Sequence, residues 1–272
     1  MTSPIPLDSL PRRSTRRRVI SGSMMHREIE VLDWRLHELD AVVDDFVIVE
    51  SVLTHSGVAR QIVRPDRDPR FAWAAGRLHC TVIDDPPPGP NPWLREWGQR
   101  EAVWSRGAAR LDPADDDLVV ISDLDEVPFP EAVDRLAWSE FEEPHFIRPH
   151  WFNFNWATYL GPWMHPSIRC YTAGFLRRLF ASGRGNLVGR CTVPGREIAG
   201  LNGWHASWFG SDERILDKLS SYAHARERKD QKAIAEGVDG IRRRRASGGE
   251  MFGTRKKAAS PPRLPAHAHR LA

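Results

Sequence analysis

Apolar positions along the chain follow two different periods, and their order sets the fold class. Residues 19–25 form a short apolar run of strand length. Within 27–43 the apolar residues Ile29, Leu32, Leu36, Leu39 and Val43 recur at spacings of three, four, three and four, the stripe of an amphipathic helix. Phe46-Val47-Ile48-Val49 is an unbroken apolar run of the kind buried in a parallel sheet, and it ends at Glu50-Ser51. The prolines of 86–92 fix φ and remove donors, which predicts an extended surface loop. Helical spacing resumes over 93–111, with Trp97, Glu101, Trp104, Ala108 and Leu111 on one face and Gly98 and Gly107 as weak points. Residues 118–121 read as a central strand, and Pro130 starts a short helix with Val133 and Leu136 facing inward. Further strand-like runs lie at 145–153 and 175–180, and a last helix over 212–226 carries Ile215, Leu219 and Tyr222 on one side. Strands alternating with helices predict a single α/β domain, a Rossmann-type mixed sheet flanked by helices.

A chain of 272 residues suits one such domain, and no stretch approaches the roughly 18 apolar residues of a membrane span. Charge is unevenly spread. Residues 1–18 carry five Arg against Asp8, and 241–272 carry nine Lys or Arg against Glu250, so a net charge of +3 leaves the body between them acidic. The domain is therefore expected over 19–236, with 1–18 and 237–272 as basic, disordered tails. Clusters such as Arg242 to Arg245 would give at most weak peripheral membrane contact, and no nucleic-acid role is expected. Cys80, Cys170 and Cys191 are scattered, which argues against a disulfide framework or a zinc site and for a cytoplasmic setting. The Arg-rich start runs into Ser21-Gly22-Ser23 and lacks the apolar core of a secretory signal.

The segment with candidate chemistry is Ser122-Asp123-Leu124-Asp125-Glu126, directly after the 118–121 strand. Two carboxylates one residue apart at the carboxyl end of a central strand sit where α/β sheets bind ligands. They are hard oxygen donors suited to a divalent cation beside a diphosphate leaving group. The same letters fit the first motif of haloacid-dehalogenase-like phosphatases, with Asp123 as phosphorylated nucleophile. Such an enzyme begins its core with that motif and needs a later acidic pair after an apolar run. Here about 100 residues precede the motif and no such pair follows.

The surrounding blocks resemble glycosyltransferase family 17, a family of N-acetylglucosaminyltransferases. The resemblance runs through Glu28 to Leu39, Val43 to Ser51, Gln99-Arg100-Glu101-Ala102 and Val120 to Pro128. It continues through Phe152 to Trp156, Gly203-Trp204-His205-Ala206-Ser207-Trp208-Phe209-Gly210 and Lys218 to His224. The family usually reads Phe-Asn-Glu-Leu-Asp at the first helix, where this chain has His26-Arg27-Glu28-Ile29-Glu30. The resemblance implies a GT-A-like fold and inverting, metal-dependent transfer of a sugar, N-acetylglucosamine for instance, from a UDP-sugar to a saccharide-containing acceptor. A non-catalytic carbohydrate-binding protein is the alternative from another class.

On that resemblance, Asp123, Asp125 and His205 would hold Mn²⁺ or Mg²⁺. Glu50, Arg100, Asp123 and Lys218 would contact the nucleotide donor, although Arg100 can equally pair with Glu96 across one helical turn. Asn153, Asn155, Trp156, Trp204 and Trp208 are candidates for the acceptor, since aromatic faces stack on pyranose rings and amides bind hydroxyls. Alternation would turn Phe152, Phe154 and Trp156 to the core and the two asparagines to the sugar. The proton acceptor is not evident from the residues alone, and Glu213 and then Glu126 are the carboxylates closest to the motif blocks.

Overall fold

The computed structural model describes residues 3–183, 193–253, 258 and 263–271. Strands β1 (Val19–Met24), β2 (Asp45–Ser51), β3 (Leu78–Ile83) and β4 (Leu118–Ile121) pair in parallel in the order β3-β2-β1-β4. β8 (Ile168–Thr172) continues the sheet antiparallel to β4, and β6 (His145–Asn153) is antiparallel to β8. β9 (Arg196–Ser207) then runs parallel to β6, and β5 (Glu126–Pro128) ends the path antiparallel to β9. β7 (Asn155–Pro162) hairpins onto β6, which gives a nine-stranded mixed sheet among the described residues. The α/β class with a mixed sheet flanked by helices is thus as the sequence predicts.

Sheet faces divide the core. Phe46 and Ile48 of β2 and Leu118 and Val120 of β4 face α1 (Ile29–Leu39) and α3 (Pro130–Ala137), whereas Val47, Val49, Val119 and Ile121 face the opposite layer. That layer holds the helical segment after β3 and α4 (Ala173–Ala181). Both faces being covered explains the unbroken apolar runs. A third cluster joins Phe154 to α5 (Asp212–Ser221), α6 (Arg228–Ala235) and α7 (Gly237–Ala246). Among the described residues no helix is long and apolar enough to cross a membrane.

Several elements differ from the periodicity reading. The 93–111 helix is three pieces, α2 (Pro92–Ala102), a π-turn over Val103–Gly107 and a 3-10 turn over Ala108–Leu111. The π-turn rotates the stripe, so Trp104 is buried while Trp97 is not. It lies tight on the sheet because β1 and the turn both offer glycine. A Cβ on Gly22 would meet Val103 Cγ1 at 2.4 Å, and one on Gly107 would meet Val47 Cγ1 at 2.4 Å. Residues 175–180 are helical, within α4, because Thr172 Oγ1 accepts from Phe175 N and caps a helix. The alternation expected over 151–156 is broken at Phe154, whose φ of 66° turns the chain from β6 into β7.

The chain ends are not disordered tails where they are described. Arg17 is buried and donates to the carbonyls of Asp116 and Phe141, and Ile5 bridges to Ile198 of β9. At the other end Ile241 of α7 is buried, Arg245 pairs with Asp212 at 2.9 Å, and Leu271 reaches the main core. The amides of Ala266 and His267 donate to the Glu38 carboxylate, and Arg270 pairs with Asp33. Buried apolar side chains, backbone hydrogen bonds and ion pairs to the acidic body together dock them. Cys80 and Cys170 are free thiols, and Cys191 lies outside the described residues.

Candidate active site

The turn after β4 is built around a buried cation. Arg35 of α1 donates to the carbonyls of Asp123, Leu124 and Glu126 at 3.2, 3.4 and 3.0 Å, and to Ser21 Oγ and Ser122 Oγ at 3.0 and 3.1 Å. Burial pulls its pKa down to about 10, against the pull of Glu126, Asp125 and Asp123. Periodicity places position 35 on a buried helix face, but nothing in the sequence says that an arginine there faces inward.

With its backbone held from behind, the turn presents both aspartates to a cleft of about 570 Å³. Arg100 of α2 donates to Asp123 Oδ1 at 2.5 Å and to Glu96 at 3.2 Å. Burial works against the guanidinium charge, but Asp123 and Glu96 outweigh it and raise the pKa. Lys218 of α5 reaches Asp125 Oδ2 at 3.0 Å and Glu28 Oε1 at 3.1 Å. Its pKa is raised in the same way, burial opposing and Asp125 and Glu28 prevailing. For Asp125 burial opposes ionisation, yet Lys218 and His205 together hold its carboxyl below the usual range.

His205 arrives by strand register. β5 and β9 pair Glu126 with His205, which sets His205 Nε2 3.8 Å from Asp125 Oδ1 and 2.8 Å from Ser207 Oγ. The Trp163 ring stands edge-on to the imidazole at 4.3 Å. Among the described residues no three His, Cys, Asp or Glu side chains are grouped as a ready metal site. Asp123 and Asp125 are engaged by Arg100 and Lys218.

Asp123, Asp125, His205, Arg100, Lys218 and Trp208 all line the cleft. The remaining candidates do not. Glu50 is fully buried, and its two oxygens accept from Arg60 at 2.7 Å and from the amides of Val63 and Arg64 at 3.0 and 2.9 Å. It fixes the loop after β2 and has no face toward a nucleotide. Glu213 is exposed on the first turn of α5, and Glu126 is buried behind the turn, its carboxylate 4.0 Å from His205 Nδ1. Neither can reach an acceptor in the cleft. Asn153 is buried and donates to Gly249 O at 2.7 Å, while Asn155 caps its own turn through Ala157 N and Thr158 Oγ1. Trp156 and Trp204 pack on Trp34, with their indole N–H groups given to the carbonyls of Ala268 and Arg263. The aromatic wall is instead formed by Trp93, Trp97, Trp151, Trp163, Trp208 and Phe252, of which sequence patterning identified only Trp208.

Comparison with known proteins adds the family to this geometry. The sequence profile of glycosyltransferase family 17 matches residues 4–253. Beta-1,4-mannosyl-glycoprotein 4-beta-N-acetylglucosaminyltransferase of Homo sapiens is 27% identical over 241 residues, covering 77% of this chain and 44% of that protein. Its Rattus norvegicus counterpart is 27% identical over 77% of this chain and 43% of its own length. The chain thus spans less than half the length of these curated relatives. Among solved structures, 4-diphosphocytidyl-2C-methyl-D-erythritol synthase is similar with a TM-score of 0.39 and 15% identity, over 69% of this chain and 90% of that one. That likeness is too loose to bear on function. The profile, running across β1, the acidic turn and the β9 block, makes this chain a member of glycosyltransferase family 17.

Proposed function

We propose that the protein transfers a sugar from a UDP-linked donor to a saccharide-containing acceptor, with inversion at the anomeric carbon. The observation that carries the reading is the Asp123-Asp125 turn, held from behind by Arg35 and opening into a cleft beside Arg100 and Lys218. These two cations suit the phosphates of a nucleotide diphosphate. Four carboxylates, Glu28, Glu96, Asp123 and Asp125, share them. That excess of negative charge favours a divalent cation, and Asp123, Asp125 and the nearby His205 imidazole are of the donor types that would suit Mn²⁺ or Mg²⁺ if brought together on it. Asp123 and Asp125 would hold it by turning from Arg100 and Lys218. Bound there, the cation would stabilise negative charge on the departing diphosphate. The aromatic side chains that line the cleft offer flat faces to the acceptor's pyranose rings. The relatives' name makes UDP-N-acetylglucosamine the first donor to try.

Calorimetry with UDP and Mn²⁺ on the intact chain and on Asp125→Ala tests the reading, followed by transfer and hydrolysis assays over a panel of UDP-sugars. Metal-dependent UDP affinity that disappears in the variant supports it. Phosphate release from simple esters without UDP affinity would favour Asp123 as a nucleophile, against which family membership weighs. Glycan binding without UDP affinity or turnover would favour a lectin-like role.

A further inference from the structure

An inverting transfer needs a carboxylate in contact with the acceptor hydroxyl. The acidic residues lining the cleft are Glu28, Glu96, Asp123, Asp125 and Glu250. Two of them, Glu28 and Asp125, are bound to Lys218, and Glu96 and Asp123 are bound to Arg100. Those four carboxylates thus belong to the end of the cleft assigned above to the cation and the diphosphate. Glu250 joins neither pair.

The backbone on both sides of Glu250 is fixed. Asn153 Nδ2 at the end of β6 donates to Gly249 O at 2.7 Å, and Met251 is buried with Phe154, Ile215 and Leu219. The Glu250 side chain lies half-buried at the cleft wall between these two anchors. Trp208 links it to the phosphate-binding end. Lys218 Nζ lies 5.8 Å from the centre of the Trp208 ring, and the Phe252 ring stands edge-on to the same indole at 5.8 Å. Trp208 thus packs against both Lys218 and Phe252 in the cleft that Glu250 also lines, so a sugar ring resting on the indole would lie near the diphosphate end and within the same cleft as Glu250.

We propose that Glu250 is the general base of the reaction, an inference that rests on the sugar-transfer reading above. The acceptor oxygen forms its bond to the anomeric carbon while its proton passes to the Glu250 carboxylate. The bond from that carbon to the diphosphate breaks, and the diphosphate leaves with the electron pair toward Lys218 and Arg100. Glu250 then returns the proton to solvent through the open cleft.

Glu250→Gln keeps the shape and removes the basicity. Its kcat is expected to fall about 100- to 10,000-fold, with donor KM and UDP affinity within about twofold of the parent. The acidic limb of the parent's pH profile for kcat/KM should vanish in Glu250→Gln and persist in Glu250→Asp, which retains a carboxylate and part of the rate. A Glu250→Gln enzyme with kcat within about tenfold of the parent overturns the assignment. So does an equal deficit in both variants accompanied by loss of UDP affinity, the pattern of a structural role. A parent chain that binds no UDP overturns the sugar-transfer reading and this proposal together, whereas a competent parent with an equally competent Glu250→Gln overturns this proposal alone.

Discussion

Replacing Arg35 with methionine removes a cation that holds the acidic turn from inside the protein. Methionine fills most of the aliphatic stem, so packing loss is small and the polar contacts decide the outcome. A hydrogen bond from a charged donor contributes about 1.5–3 kcal/mol, and a stranded buried acceptor costs about 1–3 kcal/mol. The contacts do not add. Asp123 O also accepts from Glu126 N, and Glu126 O also accepts from Ser122 Oγ, so among the described contacts Leu124 O and the buried Ser21 Oγ depend on Arg35 alone. Relief of charge burial, visible in the Arg35 pKa of about 10, offsets part of the loss. The balance is a destabilisation of about 2–4 kcal/mol, read from urea denaturation of both proteins. Because Arg35 stays charged in both states below about pH 10, its contribution should be flat between about pH 6 and 9. UDP–Mn²⁺ affinity should fall further than Arg35→Lys makes it fall, since lysine restores the charge but not the fork of donors. A variant within about 0.5 kcal/mol of the parent and with unchanged UDP affinity would refute the claim that Arg35 shapes the turn.

The Asp125 carboxyl, held below its ordinary pKa of 3.8, should contribute stability that is present above that value and lost as pH falls through the folded value. The stability gap between the parent and Asp125→Asn, followed by urea midpoints, should be constant from about pH 8 to 5 and close below about pH 4; a gap indifferent to pH contradicts it. Gly22→Ala should cost about 1–3 kcal/mol by driving a methyl into Val103, and Val103→Ala in the same chain should recover part of that in a double-mutant cycle. Trp204→Ala should cost about 3–5 kcal/mol of stability because its ring is wholly buried. Trp208→Ala should instead raise the acceptor KM about 5- to 10-fold, and the reverse pattern would relocate the acceptor.

Where one face or both faces of an element are apolar, the sequence is easily read. β1, α1, β2, β4 and α3 were legible for that reason, as was the Glu96–Arg100 pair at one helical turn. β3 was not, because His79, Cys80 and Thr81 interrupt its apolar run at a sheet edge. Neither were β8 and β9, whose Arg169 and Arg196 to Asn202 mix charge, glycine and apolar residues in strands placed by long-range pairing. The acidic turn was legible as two carboxylates directly after an apolar strand, and His205 was singled out through the family resemblance; strand register brings the two together. Glu50 misled because a carboxylate at a strand end has the same letters whether it faces a ligand or, as here, two loop amides and Arg60. Trp156 and Trp204 misled because tryptophan in alternation marks core and sugar platform alike.

Lys218, shared between Glu28 and Asp125, joins the first helix to the acidic turn through α5. An arriving diphosphate would not meet a bare cation. It would exchange for a carboxylate already in place, as would happen at Arg100 beside Asp123. Counter-ion exchange of this kind means that Lys218 and Arg100 are already neutralised by protein carboxylates, so little condensed salt is released on binding. Donor affinity in this protein should therefore weaken only gently as ionic strength rises, with a slope well below one released ion per phosphate contact.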